Sequence, residues 1–159
     1  MEPEEPTATP TVVRGADLVG ATRPLTPMAP HLATAATTRF VPGRRDWVTY
    51  LETGFSEASG GRLRATLSEA AGAPAGETGW HYHECEMQIA YITRGWIELQ
   101  FEDGTETRLE AGDLMFLPGG TRHNETRVSP DVAGLEISIP AAMGTVPCDP
   151  PEGWTATTT

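Results

Sequence analysis

The sequence predicts an all-β fold, an antiparallel sandwich or barrel, on three observations. From about residue 46 onward apolar residues recur with a period of two. Glycine and proline break these runs roughly every 8–12 residues. No segment of this region carries a helical stripe.

The elements follow in order. The stretch ATAATTRF (33–40) is expected to form a turn or two before Pro42. RLRATLS (62–68) alternates strictly, with Leu63, Ala65 and Leu67 on one face. WIELQF (96–101) sets Trp96, Glu98 and Gln100 opposite Ile97, Leu99 and Phe101. Asp103-Gly104 then reads as a hairpin turn, with TETRLE (105–110) as the returning strand. LMFLP (114–118) is apolar at every position but its last, the pattern of a strand buried on two sides. LEISIP (135–140) alternates again. Trp80, Tyr82, Tyr91, Trp96 and Phe116 read as core and cavity lining.

The chain of 159 residues suits one domain. Six of the fourteen prolines fall in the first thirty residues, so residues 1–35 are expected to be largely disordered. Residues 36–150 form the predicted domain, and 151–159 a fraying tail. A net charge of −11 argues against a phosphate-binding surface for nucleic acid and against docking on anionic membranes. Lysine is absent, which excludes Schiff-base chemistry. The acidic start MEPEEP is not a secretory signal, and no apolar run reaches the ~20 residues of a membrane span. Cys85 and Cys148 form neither a disulfide framework nor a CxxC motif, and Cys85 reads as a small apolar filler. The expectation is a soluble cytoplasmic protein.

The chemistry lies in GWHYHECEMQ (79–88). On a strand His81 and His83 share a face, and each imidazole can offer a nitrogen at ~2.0–2.2 Å from a divalent ion. Some forty residues on, Pro118-Gly119-Gly120 allows a sharp turn that brings His123 back toward the sheet interior. Three of the four histidines can therefore converge.

These residues resemble the two motifs of the cupin family. His81, His83, Gln88 and Gly95 occupy the places of its first motif, and Gly112, Pro118, Gly120 and His123 those of its second. Ala75 stands where the family has glycine, Arg127 where it often has asparagine, and Gln88 where it has a metal-binding glutamate. The resemblance implies a double-stranded β-helix, or jelly roll. It also implies one divalent metal (Zn or Fe, with Mn, Ni or Cu as further choices) and a ligand set of His81, His83, His123 and, by position, Gln88. A homodimer and a small-molecule substrate complete the picture.

A glutamine contributes no charge. It either ligates weakly through its amide oxygen or hydrogen-bonds whatever the metal binds, and the latter is the expectation. With the ion's charge uncompensated, the site would favour an anionic substrate such as an enolate. Glu86 and His31 are rival contributors to the same site. Within the resemblance, two subgroups stand closest, the polyketide cyclases and the three-histidine iron dioxygenases. A non-enzymatic small-molecule binder is the third possibility. The expected chemistry is cyclase-type action on an enolisable carbonyl or β-dicarbonyl.

Overall fold

The computed structural model describes residues 28–72 and 76–154. Most of the segment 1–35, the tail beyond 154, and Ala75 lie outside the described residues. Two antiparallel sheets face each other. One has the order β1 (Arg39–Pro42), β2 (Val48–Glu52), β3 (Arg64–Ala70), β10 (Ala133–Ile139), β5 (Met87–Arg94) and β8 (Leu114–Pro118). The other runs β11 (Gly144–Pro147), β4 (His81–Glu84), β9 (His123–Val128), β6 (Trp96–Phe101) and β7 (Glu106–Glu110). The single helix among the described residues is α1 (Phe55–Ala58), too short to cross a membrane. The arrangement is the predicted jelly roll.

The Asp103-Gly104 hairpin forms as expected: Phe101 N–H donates to the Thr105 carbonyl at 2.9 Å, and β6 pairs with β7 from Trp96↔Glu110 to Gln100↔Glu106. In ATAATTRF only one turn closes, with the Thr37 and Thr38 amides donating to the Thr34 carbonyl, before β1 begins.

Two short crossings carry the chain between the sheets and place the site. Cys85-Glu86 leads from β4 to β5, and Gly119–Arg122 leads from β8 to β9. They lie against each other. The Gly119 amide donates to the Glu86 carbonyl and the Gly120 amide to the His83 carbonyl, both at 3.0 Å. A Cβ on Gly119 would stand 1.7 Å from the Cys85 carbonyl oxygen, so only glycine allows this approach. The result sets His123 directly opposite His81 in the β4–β9 pairing.

The inward faces are less apolar than the alternation suggests. In β3 the buried inward residue is Thr66, whereas Leu67 is 40% exposed on the outer face. LMFLP departs most from expectation. β8 is the edge of its sheet, Met115 and Leu117 point inward, and Leu114 and Phe116 are 68% and 61% exposed. An edge strand has a layer on one side only, and apolar content alone does not reveal where a strand stands in the sheet order. Of the five aromatic residues assigned to the interior, Trp80 alone is fully buried, edge-on to Trp154 with ring centroids 5.9 Å apart. Trp96 is half-buried beneath the guanidinium of Arg108, 4.0 Å from its ring centre.

Candidate metal centre

Between the sheets lies a cavity of about 530 Å3. His81, His83 and His123 reach one end of it, all three buried, with ligand nitrogens within 4.8 Å of one another. Their ring centroids are 4.3–5.1 Å apart. His81 Nδ1–H donates to the Gly79 carbonyl at 2.8 Å, and His123 Nδ1–H to the Thr121 carbonyl at 2.9 Å. A carbonyl only accepts, so these bonds fix the tautomer and leave each Nε2 lone pair directed inward. His83 Nδ1 lies 3.2 Å from Thr145 Oγ1, which also accepts from Arg44 at 2.5 Å.

Burial, the nearby Arg44 guanidinium and the two neighbouring imidazoles push His83 down to about 3. Burial likewise lowers His123, although Glu125 opposes it. Both rings are therefore neutral at pH 7, the form that binds a metal. Three buried imidazoles with convergent nitrogens fit a divalent ion of the kind the family resemblance implies.

Gln88 is buried and lines the same cavity, and its Nε2 donates to Glu136 Oε2 at 3.4 Å. Glu86 does not join the site. It lies exposed in the β4–β5 crossing, where its backbone is held by Ile139 and Gly119, and its side chain turns outward. His31 is also elsewhere, with Nε2 2.9 Å from the Thr53 carbonyl and its ring edge-on to Phe55. Cys85 is half-buried, and burial raises its thiol, in keeping with an inert filler.

Four cavity residues escaped the reading of the sequence. Glu125 places its carboxylate 3.7 Å from His81 Nε2 and 3.9 Å from His123 Nε2. Burial works to raise it, but the two imidazoles and the Thr78 hydroxyl outweigh burial and hold it below the usual carboxylate range. The charge beside the histidines is thus not uncompensated, as the glutamine at position 88 had suggested. The signal was available, because Glu125 is two residues from His123 on one strand and so shares its face.

Arg44, which also donates to the Thr145 hydroxyl beside His83, sits 3.5 Å from Glu136 Oε2 and 3.4 Å from the Tyr50 hydroxyl. Burial raises the Glu136 carboxyl, with Arg44 opposing and Glu125 adding to the rise. Burial also raises Tyr50. Arg44 and Tyr50 belong to segments with no motif, and nothing in the local sequence marks them.

A family model described as Cupin domain matches residues 71–134. No curated protein shows significant sequence similarity to the chain. Among solved structures, KdgF from Halomonas sp. is similar, at 20% identity and TM-score 0.58 over 72% of this chain and 96% of that one. The polyketide cyclase RemF from Streptomyces resistomycificus matches at 18% identity and TM-score 0.58, over 75% and 85% of the two chains. An RmlC-like cupin from Shewanella frigidimarina matches at 18% identity and TM-score 0.53, over 72% and 94%. The jelly roll and the placement of both histidine motifs agree with the match of residues 71–134 to the cupin domain.

Proposed function

We propose that this protein is a metal-dependent enzyme that acts, in the manner of a cyclase, on an enolisable carbonyl or β-dicarbonyl small molecule of polyketide type. The observation that carries this reading is the polarity of the cavity. Three imidazoles and a carboxylate share it with a guanidinium, a phenol and a second carboxyl. His81, His83 and His123 would hold the ion, zinc or iron by the preference of imidazole. Bound there, it would supply Lewis acidity at a carbonyl oxygen.

The chain's own residues would do the rest. Arg44 and Tyr50 are placed to donate hydrogen bonds to an oxyanion as charge develops. Glu136, raised by burial, is positioned to hold the proton that an enolising carbon gives up or takes back. Val48, Ile92, Ile97, Leu99 and Val128 line the remaining wall, where they accept a hydrocarbon framework and exclude water. A polyketide cyclase shares the fold, which is consistent with this choice.

The test combines elemental analysis with titration by benzoylacetone, followed by absorbance and by an oxygen electrode. Enolate absorbance that depends on bound metal, with no oxygen uptake, is the expected result. Oxygen uptake would move the assignment to the dioxygenase reading, which the three-imidazole set also serves. A metal-loaded protein that leaves the diketone spectrum unchanged would contradict both.

A further inference from the structure

The donors at the histidine end of the cavity do not pair with one another. Nδ1–H of His81 and of His123 is spent on a backbone carbonyl, so in the neutral, metal-binding form of each ring Nε2 presents its lone pair. These lone pairs face the two oxygens of Glu125, which are themselves acceptors, at 3.7 and 3.9 Å. The donor to that carboxylate is the Thr78 hydroxyl, at the Oε2 end. The Thr78 Oγ1 also accepts the Glu125 amide at 3.1 Å, so one residue clamps both the backbone and the side chain of Glu125. Acceptors facing acceptors in a buried site are costly unless a cation lies between them.

Two donors on one ion at ~2.0–2.2 Å in tetrahedral geometry stand roughly 3.4 Å apart. The carboxylate–imidazole separations are within a few tenths of an ångström of that figure. Gln88, which holds the place of the family's glutamate, instead gives its amide N–H to Glu136. That bond turns Gln88 toward the opposite carboxyl.

We propose that Glu125 is the fourth protein ligand of the metal. In this chain the carboxylate would then come from β9, two residues beyond His123, and not from β5 at position 88. The inference rests on the metal reading above and deepens it. The set becomes three imidazoles and one carboxylate, and the bound ion carries one compensating charge. Gln88 is left to orient Glu136.

The test is cobalt binding to the full chain, measured by competition with a chelator and by the visible absorption of the bound ion. Glu125→Gln keeps the size and a hydrogen bond to Thr78 while removing the charge. It should weaken cobalt binding at least tenfold and shift the absorption bands as water replaces the carboxylate. Gln88→Ala should stay within about threefold of wild type with unchanged bands, since an amide in hydrogen bond to Glu136 gives the ion little. If Glu125→Gln weakens binding but leaves the spectrum unchanged, Glu125 is not a ligand and the proposal falls. It falls equally if Gln88→Ala is the variant that shifts the bands. Wild-type protein that binds no cobalt would overturn the metal reading itself. Circular dichroism checks the fold, and should Glu125→Gln not fold, Glu125→Asp replaces it with the same expectation, because the shorter arm withdraws the oxygens.

Discussion

His81 and His123 are each oriented by the carbonyl of the residue two positions earlier, a hydrogen bond made within the same short segment. His83 lacks that local partner and depends on Thr145 from β11, held in turn by Arg44. It is also the ring most strongly depressed in pKa, for it feels burial, Arg44 and two neighbouring imidazoles together. The pH dependence follows from the sign of this shift. Below the ordinary histidine value of 6.5 the unfolded chain takes up protons that native His83 refuses until about 3. The stability contributed by the neutral ring is complete above 6.5 and is lost as pH falls from 6.5 toward 3. Metal-free protein should therefore show a melting temperature that declines across that window, and His83→Gln should flatten the decline. A wild-type melting temperature that is level from pH 7 to 4 would contradict this.

At the scale of elements, the alternating patterns located β3, β6, β7 and β10, because a strand with one buried face writes its period into the sequence. The motifs located three histidines for the same reason: side chains two apart on a strand must share a face. What period cannot reveal is sheet order. β8 was expected to be covered on both sides and stands at the edge. Arg44, on the loop between β1 and β2, reaches the site only through the pairing of distant strands. Glu125 was legible by parity with His123, although the resemblance points for a carboxylate to position 88. The two crossings hold the histidine strands together, and the closest approach is at Gly119. Gly119→Ala should cost about 2–3 kcal/mol, since backbone rather than a flexible side chain must give way. Chemical denaturation measures it, and metal affinity should fall in parallel as His123 moves. Unaltered stability would mean that the crossing tolerates more room than its geometry indicates.

At the scale of the whole molecule, one face of the six-stranded sheet leaves Phe40, Leu67, Tyr91, Leu114 and Phe116 open to solvent. Paired registers join several of them across the sheet, Leu67 to Leu135 to Tyr91 to Leu114. The homodimer implied by the family resemblance would cover this face with a second copy. Light scattering should give twice the chain mass for the wild type and a single chain mass for the Leu114→Glu, Phe116→Glu double variant. A monomeric wild type would contradict it.

The most direct measurement is metal content per chain by elemental analysis, for wild type and for His81→Ala, His83→Ala and His123→Ala. The account predicts one equivalent in the wild type after loading and removal of excess metal. Each alanine variant should lose most of it, because a site with so few imidazoles tolerates little loss. Full occupancy in His123→Ala would contradict the central claim that the two motifs meet at one ion.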